Sequence, residues 1–327
     1  MSDEHAPTDP TDSRPAPGEV LPSAQMTTAP RVQPTREALP PRSKSWWRTG
    51  GIPWLFLGPA LAILVVFIFY PAVRIFLLSF QDYSFVRDAV WVGFENYGRL
   101  LSDRTFGWAM VNSLLYLLVT PFLIVASVSV AFLLDAKVKG SGFFRGLYFL
   151  PVVTPMIVVG IIWQWLLNED VGLINYVVTL MGGDKVYWLT SYPLNVLSVM
   201  FVTGWKGLGY YAIIFLAGLL TIPEELEEAA ALDGAGPIQR LLYVKLPLLK
   251  PTIALVAIIS SISALKVFDE LFIMIPGAPA AEKTLVPLIY QTAFLDFRLG
   301  YASAISVVLF VMTLAFSYLN IRYWEKD

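Results

Sequence analysis

Six side chains lie at polar, chemically capable positions inside otherwise apolar stretches: Thr203, Lys206 and Tyr210, then Ser260, Ser263 and Lys266. Within each set the residues are three or four apart, so on a helix each set shares one face. Ionisable groups at membrane depth are costly and face a bundle interior or a watery cavity. Hydroxyls, an amine and an aromatic ring suit a polyhydroxylated solute, which presents many hydroxyls beside flat apolar patches. Structural roles compete with that reading: Lys206 can snorkel to an interface, Lys266 can pair with Asp269 or Glu270 one turn on, and the two serines can bond back to their own helix. A different concentration of charge stands at Glu224 to Asp233, EELEEAAALD, followed by Gly234, Gly236 and Pro237.

Other chemistry is excluded by composition. There is no cysteine, and the single histidine is His5, so thiol or imidazole nucleophiles and the usual zinc ligand sets are absent. A net charge of −2 points to no polyanion, and no nucleic acid is expected. No G-x-x-x-x-G-K-[ST] loop occurs, so the chain lacks the backbone cradle for ATP phosphates. Gly204 to Gly209, GWKGLG, resembles one only superficially, and its glycines read as close helix packing.

The elements that must position these residues are membrane spans. Hydrophobic residues make up 56% of the chain and mean hydropathy is +0.63, well above a soluble domain. Long uncharged runs predict an all-α polytopic membrane protein with six spans: Trp54–Phe80, Gly107–Leu134, Phe143–Leu167, Pro193–Leu220, Leu248–Glu270 and Gly300–Tyr323. Pro121, Pro151 and Pro155 read as kinks within or beside them. An even number of spans puts both termini on one side. Lysine and arginine crowd the flanks on that side, whereas the three opposite loops hold only Arg87, Arg99, Arg104, Lys185, Lys283 and Arg298, which predicts cytoplasmic termini. Residues 1–48, rich in Pro, Ser, Thr and charge, form an expected disordered cytoplasmic tail ahead of the membrane domain 49–327. Two stretches, from Val90 and from Gly172, read as amphipathic segments on the outer surface.

Residues 222–247 then fall on the cytoplasmic side. Strong helix formers follow Pro223, with acids in the first turn where the helix dipole favours them. Gly234 and Gly236 break the run, and Pro237 suits the first position of a second short helix. The expectation is a helix, a turn and a helix, with small alanines that let another backbone approach. The competing role is a hairpin lying on the headgroups, against which the acids argue beside an anionic leaflet.

The spacing Glu228-Ala229-Ala230, three residues, Gly234, nine residues, then Val244-Lys245-Leu246-Pro247 resembles the EAA loop of ABC importer membrane subunits; Val244 in place of isoleucine is its only departure. FENYGRLL at Phe94, FFRGLYFLPVV at Phe143, WQWLLNEDVGLINY at Trp163, WKGLGYYAIIFLAGL at Trp205 and KVFDELFIM at Lys266 extend the likeness to carbohydrate-type permeases related to the maltose and glycerol-phosphate importers. PGAPAAEK from Pro276 departs from the Gly-Gly-Pro run common there. The resemblance implies a type I ABC importer permease of the bacterial inner membrane, itself without a cofactor. It implies a second dissimilar permease subunit, a cytoplasmic ATP-binding subunit dimer that binds the ATP, and an extracytoplasmic solute-binding protein. It also implies that Glu228 interacts with the ATPase surface within a coupling loop that includes Ala229, Ala230, Asp233 and Val244, that Gly234 permits the turn, and that Leu246 with Pro247 sets re-entry into the membrane. An ion-coupled secondary transporter is the rival; no internal repeat supports it, and Asp269 and Glu270 fall near a span end. A membrane-embedded enzyme lacks any visible catalytic constellation.

Overall fold

The structure, a computed structural model, describes residues 56–135 and 141–324. The chain divides into Met1–Pro59 and a compact unit, Ala60–Asp327. The expected tail, 1–48, lies outside the described residues.

Among the described residues five helices are long and apolar enough to cross a membrane, and a bent pair is either a sixth, broken span or a re-entrant loop. The first, α1 (Phe56–Leu78), has none of its apolar window buried inside the chain. Its middle widens into a π turn at Val65–Phe69, where the Tyr70 N–H reaches back to Val65 O. The cause is Pro71, which has no N–H and whose ring crowds the carbonyl four residues earlier. A two-stranded antiparallel hairpin follows, β1 (Gln81–Ser84) with β2 (Arg87–Trp91), bulged between Asp82 and Ser84. The amphipathic segment expected from Val90 is therefore strand at first and becomes helix only at α2 (Glu95–Ser102). No turn signature announces this hairpin; tertiary contacts make it, with Phe80 stacked on Trp91 at 5.7 Å.

The second span, α3 (Arg104–Asp135), starts at a capped end: Asp103 accepts from the amides of Thr105 (2.8 Å) and Phe106 and from the Tyr301 hydroxyl (2.7 Å). The third expected span, Phe143–Leu167, is not a kinked rod. It is two helices, α4 (Ser141–Val153) and α5 (Met156–Leu166), bent by 103°. Pro155 cannot donate to the Pro151 carbonyl and drives Thr154 out of helical geometry, so the ladder ends there.

After α6 (Leu173–Leu180) comes the fourth span, α7 (Leu194–Leu219). A Cβ at Gly209 of α7 would meet the Tyr148 carbonyl oxygen of α4 at 1.9 Å, so the two backbones touch. Then follow α8 (Glu224–Leu232), α9 (Pro237–Arg240), a second π turn at Leu241–Lys245 and, past Leu249, α10 (Lys250–Leu265). The fifth expected span, Leu248–Glu270, breaks at Lys266–Phe268 and resumes as α11 (Asp269–Met274), whose acids occupy a first turn that favours them. The short apolar helix α12 (Leu285–Leu295) was not anticipated, and α13 (Leu299–Trp324) is the last span. The main core joins α3, α7 and α10 through side chains such as Phe215, Val199 and Val256, each with no accessible surface.

One end of the bundle is knitted by three buried asparagines. Asn96 donates to the carbonyls of Ser79 and Gln81, and Asn112 to those of Ala281 and Lys283 while accepting from the Tyr192 hydroxyl. Asn175 donates to Glu169 O and Val186 O and accepts from Val186 N and Trp188 Nε1.

Candidate coupling surface and interior polar track

At the other end, α8 carries Glu224, Glu225 and Glu227 in its first turn, where the helix dipole favours acids, and none of its residues is buried. Its C-terminus explains the spacing between the alanines and the glycine. The Ala235 N–H bonds Ala230 O at 2.9 Å and the Gly234 N–H bonds Ala231 O at 3.1 Å, the paired bonds of a helix stop that needs a left-handed residue. Gly234 supplies it at φ +85°, and a Cβ there would meet no atom within 4 Å. The requirement is one of backbone angle, not of space. Gln239 Oε1 then accepts the Gly236 N–H at 2.9 Å, and Pro237 begins α9.

The chain does not turn sharply at Leu246 and Pro247. It continues helically through the π turn, in which the Leu246 N–H reaches Leu241 O, and Pro247 plays the part Pro71 plays in α1. Glu228, Ala229, Asp233 and Pro247 are exposed, Ala230 and Val244 are half-buried, and Leu246 packs against the core. Leu232 is 89% exposed and Ile238 71%, an apolar tip on an acidic stalk.

Four charged residues absent from the expected set organise this end. Lys245 Nζ donates to Asp135 Oδ2 at 2.8 Å and stands 2.9 Å from Glu227 Oε2, whose other oxygen lies 3.8 Å from Arg240. Burial works against the Lys245 ammonium, yet its hydrogen bonds to Asp135 and Glu227 outweigh it and raise its pKa above the usual 10.5. Only the Glu227–Arg240–Lys245 half had a local signal; Asp135 is 110 residues from Lys245. Beneath α8 a cleft of about 640 Å³ runs between these charges and Phe132, Leu219 and Ile222.

The interior residues separate into distinct roles. Thr203 donates to Val199 O and shares a 2.5 Å hydrogen bond with the Tyr116 hydroxyl. Lys206 points at the α4–α5 break, with Nζ 3.5 Å from Val152 O, and interacts electrostatically with Glu270. Tyr210 is 44% exposed and packs edge-on to Tyr211, whose hydroxyl is hydrogen-bonded to Ser263. Ser260 is buried and donates to Val256 O at 2.6 Å, a bond within its own helix. Lys266 is exposed, and among the described residues it forms no ion pair; the break after Leu265 removes the helical register that a pairing with Asp269 or Glu270 would use. Trp163 packs edge-on against Phe201 and Trp205 at 5.5 and 5.4 Å, setting aromatic faces beside Lys206 on α7.

Residues 123–324 match the family model of the binding-protein-dependent transport system inner membrane component. The chain belongs to that family. YurN of Bacillus subtilis, a probable ABC transporter permease, is 35% identical over 84% of this chain and 96% of its own length. The trehalose/maltose transport system permease MalF of Thermococcus litoralis is 32% identical over 87% and 98%. The fold is also that of a chain in the crystal structure of a bacterial ABC transporter involved in the import of the acidic polysaccharide alginate, at a TM-score of 0.78 and 22% identity over 86% and 99%. The protein is thus a multi-pass inner-membrane permease of a binding-protein-dependent ABC importer, and the ion-coupled alternative is set aside.

Proposed function

We propose that this permease lines, together with a second dissimilar permease subunit, the path of a sugar or sugar-like solute. An extracytoplasmic protein delivers the solute, and ATP is hydrolysed by a separate pair of subunits seated on residues 222–247. The exposed knob carries the reading: its turn geometry accounts for the Glu228-Ala229-Ala230 to Gly234 spacing, and its uncovered Leu232 and Ile238 need a partner surface. Relatives named for trehalose and maltose, diacetylchitobiose and arabinooligosaccharides support a carbohydrate cargo. The knob end is then cytoplasmic and the asparagine-knitted end faces outward.

Two broken spans support a solute path at their level, since interrupted membrane helices expose backbone groups only where they line a cavity or pack in protein. Thr203, Lys206, Tyr210, Ser263 and Lys266 are the hydrogen-bonding groups, Trp163 and Trp205 the stacking faces, and Ser260 stays a helix-internal donor. The test is reconstitution in proteoliposomes with the partner permease, the ATPase and the binding protein. ATP hydrolysis and uptake should both rise with solute and require the binding protein. Hydrolysis indifferent to both overturns the proposal.

A further inference from the structure

The coupling helix α8 has no buried side chain, and it is joined to the bundle by non-helical residues at both ends, 220–223 and 233–236. Beneath it lies the 640 Å³ cleft where packing would otherwise be. Apolar contact therefore does little to fix its distance from the bundle. What bridges the cleft is charge. The Lys245 side chain is only 16% exposed and holds Glu227 of α8 and Asp135, the last residue of α3, with N–O distances of 2.9 and 2.8 Å.

We propose that Lys245 is a positioning residue, a clasp that ties α8 to the end of α3 so that motion of a seated ATPase is delivered to the buried core helix and not lost in tilting of the knob. This rests on the coupling role proposed above. The path is continuous: α8, Glu227, Lys245, Asp135, then α3, whose Leu134, Ala131 and Val128 are core residues. The π turn ends at Lys245, so the helix-widening before Pro247 sets the angle at which the ammonium meets its carboxylates. Removing the cation does more than delete a bond, because Glu227, left only with Arg240 at 3.8 Å, then faces Asp135 with no ammonium between them, and the repulsion favours α8 moving outward.

The experiment uses the complete reconstituted importer and reads solute taken up per ATP hydrolysed. If the wild-type complex shows no binding-protein-dependent uptake, the functional reading fails and the clasp falls with it. Given wild-type uptake, Lys245→Met should lower the ratio about tenfold, the scale of a lost coupling between sites. Lys245→Arg should recover most of the ratio, and adding Glu227→Gln to Lys245→Met should recover part by relieving repulsion. If Lys245→Met fails to insert, Asp135→Asn and Glu227→Gln carry the test, each expected to lower the ratio several-fold. A wild-type ratio in Lys245→Met, or in both of those single variants, overturns the proposal. Equal loss in Lys245→Arg and Lys245→Met also overturns it, since packing and not charge would then be at work.

Discussion

The two ends of the bundle are built from different interactions. At the end that carries them, Asn96 and Asn175 fasten neighbouring segments and Asn112 a loop 169 to 171 residues on, all three neutral, buried and bonded largely to backbone carbonyls. At the end that carries α8, an exposed helix is tied to α3 by an ion-paired lysine over an open cleft. Buried amide networks give a single rigid arrangement, because every alternative leaves polar groups unpaired. Partly exposed ion pairs contribute little to stability and can re-form as the parts move. The contrast leaves one end rigid and the other able to re-form its contacts.

Three sets of substitutions break or sharpen that contrast. The largest effect is expected from Gly234→Pro, which cannot adopt φ +85° and loses the N–H that bonds Ala231 O. It should abolish transport while the protein still inserts, as membrane-fraction yield beside uptake would reveal. Gly234→Ala, with free space for its Cβ, should cost only the dihedral strain of about 1–2 kcal/mol and keep partial transport. Normal uptake by the proline variant would remove the turn from the coupling mechanism.

Next in size, Asn175→Ala should destabilise the protein by about 3 kcal/mol, because Val186, Glu169 and Trp188 lose a buried partner. Glu227→Gln should cost under about 1 kcal/mol, as expected for a partly exposed pair. Thermal unfolding in detergent separates them; equal shifts would erase the distinction between the two ends.

The smallest effect is pH dependence, and its sign differs between the ends. Burial raises the Asp103 pKa, but the bonds from Tyr301, Thr105 and Phe106 prevail and hold it below 3.8. That contribution is complete above pH 3.8 and is lost as pH falls through the folded value. Lys245, raised above 10.5, contributes fully below that pH and loses its contribution as pH rises through its own folded value. Asp103→Asn should flatten the acid limb of a stability profile, and Lys245→Met the alkaline limb.

Much of the architecture was legible from residues. Apolar run length located five spans and the limits of the bent pair to within a few positions, since a hydrocarbon core of fixed thickness leaves few choices. The knob was legible because proline, acids and glycine each carry a local backbone preference. Where the outcome depended on partners distant in sequence, the residues gave no signal. Asp135 is ordinary until Lys245 arrives beside it, and β1 and β2 have no turn residues to announce them. The bend at Thr154–Pro155 was half visible: prolines four apart marked the place, but only packing decides between a kink and a turn of 103°. Among interior residues, Lys206 stood by itself and Glu270 served as a candidate partner for Lys266, and the proximity of Lys206 to Glu270 needed the broken helices to be seen.

The meeting of Gly209 with Tyr148 has a mechanical corollary. Where two main chains touch with no side chain between them, sliding one helix along the other would drive the next residue's Cβ into a carbonyl. Swivelling about the contact costs nothing of the kind. Any rearrangement of α7 against α4 is therefore constrained at this point, one residue before Tyr210.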